Sequence, residues 1–304
     1  MLLPPSQTAS SLLLSTKPPH RFSSNCAALD RLLTPQRPDT RPWAHDAAVV
    51  ATASGIGEGE VLELLGPPGV GKTRTAMAFV ITERRRDDAG RVLVIDAEGS
   101  LSPALLRQTV EAQVTHDGDE PEVVDEVLRG IFYRRIDSDW VLQAFLLNLE
   151  EYLAENPAIN LVVIDSLSSH IRPTLDSATR VLMAETIRSA LSAICASGRV
   201  SMIVTSQMSL KLFGPDHRPV GWSRDAEALL VPQISERWLP TDTNTSRVLL
   251  YYDQEGERLA RLLSGPEETQ ATDAAFTMDL LGPCDYPSAE ADDAAMATNS
   301  SAAA

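Results

Sequence analysis

The octapeptide Gly66-Pro67-Pro68-Gly69-Val70-Gly71-Lys72-Thr73 fits the pattern G-x-x-x-x-G-K-[ST]. An apolar, strand-like run (Glu60–Gly66) precedes it and a run of helical character (Thr73–Arg85) follows, which is the context the pattern requires. A loop so poor in side chains lets backbone N–H groups turn inward around phosphate oxygens, and the start of the following helix adds a favourable dipole. Lys72 would neutralise the β- and γ-phosphates, and the Thr73 hydroxyl would ligate Mg²⁺. The motif predicts ATP and Mg²⁺ as cofactors, with the nucleotide cradled by Gly66, Pro67, Pro68, Gly69, Val70, Gly71, Lys72, Thr73 and Arg74. An ordinary glycine turn would explain the glycines but not the whole pattern in this setting.

The rest of the chain agrees with such a loop. Glu60–Gly66, Arg91–Gly99, Asn160–Ser166 and Val200–Gln207 read as buried strands, and the segments between them as helices. This alternation predicts an α/β fold: a mainly parallel central sheet flanked by helices, with ligands at the carboxyl ends of the strands. Ser246–Asp253 and Arg258–Gly265, separated by Gln254-Glu255-Gly256-Glu257, predict a C-terminal antiparallel hairpin that extends the sheet.

Three strand ends carry candidate chemistry. Asp165 closes "LVVID", where a carboxylate reaches Mg²⁺ through water. Glu98, in "VLVIDAEGS", stands where a general base would polarise water toward the γ-phosphate; the competing role for Asp96 and Glu98 is to cap the next helix. Gln207, ending "MIVTSQ", is a candidate γ-phosphate sensor or a plain polar strand end. The predicted catalytic set is Glu98, Lys72 and Gln207, and the predicted metal set is Thr73 and Asp165.

Composition limits the partners. Among 304 residues, 42 acids outnumber 26 Lys and Arg, and the net charge of −16 argues against a whole surface that grips nucleic acid. No apolar run approaches the ~18 residues of a membrane span, which predicts a soluble chain. Three dispersed cysteines fit a reducing compartment. Residues 1–24, rich in proline and serine, predict a flexible arm; residues 284–304 predict a disordered acidic tail; residues 25–283 remain as the core. Thr34–Asp46 predicts a surface loop, and Trp238, Tyr251 and Tyr252 predict core positions.

"NCAALDRLL", "GIGEGEVLELLGPPGVGKT", "VLVIDAEGSL", "LVVIDSLSSHIRP" and "IVTSQM" occur in an order that resembles the RecA-like recombinases, most of all the eukaryotic Rad-fifty-one paralogues of the C type, over about residues 25–280. The resemblance implies a RecA-like P-loop NTPase core and a role in homologous recombination and DNA repair in the nucleus. Lys72, Thr73, Glu98, Asp165 and Gln207 match the family's phosphate, magnesium, water-activating and sensing positions. The implied partners are single-stranded or branched DNA, other recombinase paralogues and the strand-exchange recombinase.

Some features depart from the family. The helical domain that usually precedes this core is not seen, and a longer segment separates Leu33 from Gly55. Where the family carries an adenine-stacking arginine, this chain has Leu105, with Arg107 as the candidate substitute. No aspartate stands near Ser264-Gly265-Pro266 to cap a neighbour's nucleotide, which argues against a symmetrical filament. The segments after Asp165 and Gln207 match the family's DNA-facing loops and offer Arg172, Lys211, Arg218 and Arg224, with His170, Arg180, His217, Phe213 and Trp222 beside them; two solvated surface loops are the alternative. The expected activity is that of a DNA-dependent ATPase in a hetero-oligomer. The alternative is a nucleotide-binding scaffold with little turnover, and a small-molecule kinase is disfavoured because no Arg-rich lid is visible.

Overall fold

The computed structural model describes residues 20–34, 54–170, 177–216, 218, 220–222, 226–234, 238–240, 245–265 and 273–286. Arg172, Arg224 and His217 lie outside the described residues, as do the side chain of His170 and all of 35–53.

Six strands form the parallel part of the sheet: β3 (Val61–Gly66), β4 (Arg91–Asp96), β5 (Ile131–Arg135), β6 (Ile159–Asp165), β7 (Ser201–Phe213) and β9 (Thr245–Tyr252). Strands β10 (Arg258–Ser264), β11 (Asp273–Met278) and β12 (Pro283–Asp285) continue it antiparallel, giving the order β12-β11-β10-β9-β3-β7-β6-β4-β5. The expected mainly parallel sheet with a C-terminal antiparallel extension is therefore present.

Each face carries its own core, as a sheet covered by helices on both sides requires. On one face, α1 (Ala27–Leu33), α2 (Lys72–Arg84), α3 (Pro103–Asp117) and α4 (Glu122–Arg129) contribute Leu29, Phe79, Val110 and Val127 to a cluster with Leu62, Leu64 and Val94. On the other, α5 (Asp139–Leu147), α6 (Leu149–Glu155) and α7 (Ser177–Ala196) contribute Leu142, Leu153 and Leu191 against Ile95, Val162 and Met202. Alternate residues of a strand point to opposite faces, and β3 and β6 are buried on both, so they read as nearly continuous apolar runs, with Glu63 of β3 paired to Arg247. No described helix is long and apolar enough to cross a membrane.

Several expectations are revised. "IFYRR" is edge strand β5 rather than part of a helical segment; its charged end and half-buried aromatics suit an edge and conceal the strand in sequence. Strand β7 runs on past Gln207 to Phe213 and pairs antiparallel with β8 (Glu227–Pro232), so the expected loop after Gln207 is largely a long hairpin. Arg180 lies on α7 rather than in a loop. Trp238 is buried as expected, but Tyr251 is only half-buried and Tyr252 is 40% exposed. The folded part extends beyond 25–283 at both ends: β1 (Arg21–Phe22) pairs with β2 (Ile56–Gly57) and buries Phe22, and β12 reaches Asp285.

Asp285 also holds the start of α1. Cys26 precedes that helix without a side-chain cap, and the Asp285 carboxylate accepts from the Ala27 N–H (3.1 Å) and the Ala28 N–H (2.7 Å) instead. Asp285→Ala is expected to cost about 1 kcal/mol, the usual worth of a cap, and to lower Tm by roughly 2–4 °C. An unchanged calorimetric Tm would show that water replaces the carboxylate without loss.

Candidate nucleotide-binding site

The strand register brings the polar strand ends to one level. Gly66 is opposite Gln207 and Asp96 is opposite Asp165, so the carboxyl ends of β3, β6 and β4 and the Gln207 level of β7 meet at one cleft of about 600 Å³. That size suits a small ligand. Its lining includes Pro68, Gly69, Gly71, Lys72, Thr73, Arg74, Glu98, Ser100 and Gln207.

Backbone geometry explains two of the glycines. A Cβ on Gly66 would collide with the Leu250 carbonyl of neighbouring β9, and Gly71, at φ +113°, begins α2 in a left-handed conformation that a side chain disfavours. Val70 is fully buried and anchors the loop from beneath.

Lys72 is buried at the first turn of α2, and its Nζ donates to the Gly66 carbonyl (2.8 Å), the Pro67 carbonyl (3.0 Å) and Gln207 Oε1 (3.2 Å). Burial pulls its pKa down, while nearby Glu98 and Asp165 push it back up. The other end of the Gln207 amide donates from Nε2 to Glu98 Oε1 (3.0 Å) and Oε2 (3.2 Å), and Ser166 Oγ donates to Glu98 Oε2 (2.9 Å). A polar chain thus runs Lys72–Gln207–Glu98–Ser166.

A second cluster lies beside it. Thr73 Oγ1 donates to Asp165 Oδ2 (2.9 Å), Ser100 Oγ donates to the same oxygen (2.7 Å), and Thr205 Oγ1 donates to Oδ1. Burial raises the Asp165 pKa, the three hydroxyls oppose that rise, and Glu98 adds to it. Hard oxygens from a carboxylate and two hydroxyls form a donor set that suits Mg²⁺. The Thr73–Asp165 hydrogen bond shows that the chain already brings these groups within reach of one another.

Asp96 and Glu98 do different work. Asp96 accepts from the Gly99 N–H (2.6 Å) and the Tyr133 hydroxyl (2.7 Å), and Arg135 donates to its backbone carbonyl (2.8 Å). Burial and the Asp96 bond push the Tyr133 hydroxyl up to about 12, so it remains a donor at neutral pH. With the Ala97 and Glu98 N–H groups both donating to the Asp165 carbonyl (2.7 and 3.2 Å), this turn aims Glu98 into the cleft. The cap of α3 is Ser102, whose hydroxyl accepts from the Leu105 N–H (3.2 Å), so neither acid serves as that cap.

Arg107 is not brought to the cleft. It lies two residues beyond Leu105, about 200° around the helix, and its guanidinium turns outward to Asp125 (2.9 Å) and Glu111 (3.4 Å). Leu105 lines the cleft instead, near Met278 and Leu280. Lys211 and Arg218 lie on the β7–β8 hairpin, exposed and away from this lining, with Trp222 91% exposed on the same segment. The residues that sequence reasoning did not find are hydroxyls (Ser100, Ser166, Thr205) and Arg258; short polar residues after a strand carry no distinguishing spacing.

A family model described as an AAA domain matches residues 50–209. The chain is 26% identical over 229 residues to DNA repair protein RAD51 homolog 3 of Cricetulus griseus, which covers 69% of this chain and 59% of that protein. It is 25% identical over 223 residues to the protein of the same name from Dictyostelium discoideum, covering 68% of this chain and 55% of the relative. With DNA repair protein RAD51 homolog 2 of Homo sapiens the identity is 23% over 231 residues, covering 69% of this chain and 59% of the relative. The chain spans a little over half the length of these curated relatives.

Proposed function

Because this chain belongs to the family of RecA-like AAA domains, as a paralogue of the RecA/Rad51 recombinases, we propose that it binds and hydrolyses ATP with Mg²⁺ and assists a strand-exchange recombinase on single-stranded DNA, within a paralogue complex in the nucleus. The observation that carries this reading is the pair of polar clusters at one set of strand ends: Lys72–Gln207–Glu98 beside Thr73–Ser100–Asp165.

In this mechanism the loop N–H groups and Lys72 bind the β- and γ-phosphates, and Arg74 flanks them. Thr73 and Asp165 would hold Mg²⁺, with Ser100 beside them, and the bound ion would supply positive charge to offset that of the phosphate oxygens. Glu98 accepts a proton from the attacking water, and the Ser166 and Gln207 hydrogen bonds keep its carboxylate oriented. Gln207 touches both the lysine that meets phosphate and the carboxylate that meets water. Its carbonyl accepts from the Gln233 N–H (2.9 Å), just beyond β8. A change at the γ-phosphate therefore has a direct covalent and hydrogen-bonded route into the β7–β8 hairpin.

That hairpin is the proposed DNA contact, with few cations and several apolar groups. Lys211 and Arg218 are exposed, as are Leu210, Leu230 and Trp222. With the acidic chain overall, this argues for weak DNA binding by the protein alone and stronger binding by a complex. In the complex, Lys211→Ala combined with Arg218→Ala should lower the affinity for single-stranded DNA and flatten the log–log salt dependence by about 0.7 per lost contact. Quenching of Trp222 fluorescence should accompany binding if bases stack there. A salt slope equal to wild type would leave DNA contact to the partners. ATPase assay of the protein with its co-purifying partners, with and without single-stranded DNA, tests the whole reading: stimulated turnover supports it, and absence of nucleotide binding sinks it.

A further inference from the structure

We propose that Arg258, on the antiparallel strand β10, is a phosphate-binding residue of the nucleotide cleft, reaching it from an element far along the chain from the glycine loop. This rests on the nucleotide-binding reading above and adds to it a cation that lies outside the loop motif.

Arg258 lines the same cleft as Lys72, Thr73 and Arg74. Its backbone is paired on both sides at the first position of β10, opposite Tyr252 on β9 and Phe276 on β11, so the side chain leaves from a point held by two neighbouring strands. The guanidinium carbon stands 5.2 Å from the centre of the Tyr252 ring, a cation–π distance. The Tyr252 hydroxyl in turn donates to the Gly69 carbonyl in the glycine loop (3.2 Å). The arginine is therefore tied through one aromatic ring to the loop expected to hold the phosphates.

Its hydrogen bonding is incomplete. Nε is buried and meets no acceptor among the described residues. A buried N–H left unmatched is costly, and an arginine offers five donors in a fixed fork that matches phosphate oxygens. The acid on the same wall does not supply the missing acceptor: Asp279 Oδ1 accepts from the Leu281 N–H (2.7 Å) and the Gly282 N–H (3.1 Å), closing its own turn. An anionic ligand in the cleft would give the guanidinium fork an acceptor that the described residues do not supply. The apolar wall formed by Leu105, Met278 and Leu280 offers no hydrogen bonds from its side chains, so the phosphates are the natural acceptors.

The test uses the full chain with Mg²⁺ and three ligands: ATP, ADP and adenosine. Arg258→Ala and Arg258→Gln are measured by titration calorimetry and by the rise in Tm that saturating ATP produces. Both variants should bind ATP and ADP roughly tenfold more weakly than wild type, with a smaller ATP-induced rise in Tm, because ligand stabilisation follows affinity. Any weak adenosine binding should be unchanged. The glutamine variant retains a polar side chain of intermediate length if alanine loosens the strand. A purely structural role would lower the Tm of the ligand-free protein and leave the ATP-induced increment intact, and that result would overturn the proposal. So would wild-type affinity for ATP in either folded variant, or an equal loss for adenosine. If the wild-type chain itself binds no ATP, the nucleotide-binding reading falls and this proposal falls with it; if wild type binds and the variants match it, only Arg258 is removed from the site.

Discussion

Glu98→Gln is expected to retain ATP binding while slowing hydrolysis by about a hundredfold or more, the scale on which a general base contributes. The side chains have nearly the same shape, and the glutamine carbonyl can still accept from Ser166 Oγ, which stands 2.9 Å from the native carboxylate. What glutamine cannot do is take a proton from water. Glu98 lines the cleft in which Lys72 and Thr73 also stand, and it is held there by contacts to Ser166 and Gln207 rather than serving as a helix cap. The measurement is single-turnover ATP hydrolysis by the complex with single-stranded DNA present, next to an equilibrium titration with a non-hydrolysable analogue. Unchanged turnover in a variant that binds normally would remove Glu98 from the chemistry. If wild-type turnover is undetectable under the same conditions, the nucleotide-binding scaffold becomes the better account.

Lys72→Ala should weaken ATP binding ten- to about a hundredfold and leave the fold intact. One charge-assisted phosphate contact contributes on the order of 1.5 to 3 kcal/mol, and each 1.4 kcal/mol is a factor of ten. The lysine is buried at the mouth of the loop, where Glu98 and Asp165 favour its charge against the cost of burial. Lys72 itself lines the cleft, so its loss opens space for water beside the Gly66 and Pro67 carbonyls and Gln207 Oε1, and the effect on stability should be small beside the effect on binding. Circular dichroism and Tm check the fold, and calorimetric titration checks affinity. Native affinity in a folded variant would show that the glycine loop does not hold the nucleotide as argued.

The two variants separate binding from chemistry. Lys72→Ala should act mainly on affinity and Glu98→Gln on turnover, and Gln207 lies between the two groups, 3.2 Å from Lys72 Nζ and 3.0 Å from Glu98 Oε1. Its position on the strand that becomes the β7–β8 hairpin is what would make nucleotide state felt at the proposed DNA contact.

What the sequence determined by itself is local. Glycine spacing from Gly66 to Gly71, followed by Lys72 and Thr73, is a backbone specification contained in eight consecutive residues, and the strand before it and helix after it follow from apolar runs that need no distant partner to be legible. For the same reason Asp165, Glu98 and Gln207 could be named: each stands at or just past the end of a buried apolar run, and a parallel sheet brings such positions to one level, although β7 itself continues to Phe213. The tertiary structure alone decided the rest. It turned Arg107 to Asp125 and left Leu105 at the cleft, because the phase of α3 is set by its packing rather than by composition. It extended β7 into a hairpin whose partner strand begins at Glu227, drew the Asp285 carboxylate onto a helix 258 positions earlier, and set Arg258 beside a loop that ends at Thr73. Contacts between residues so far apart in the chain leave no periodicity or spacing to read, because they arise only when the order of strands in the sheet makes neighbours of them.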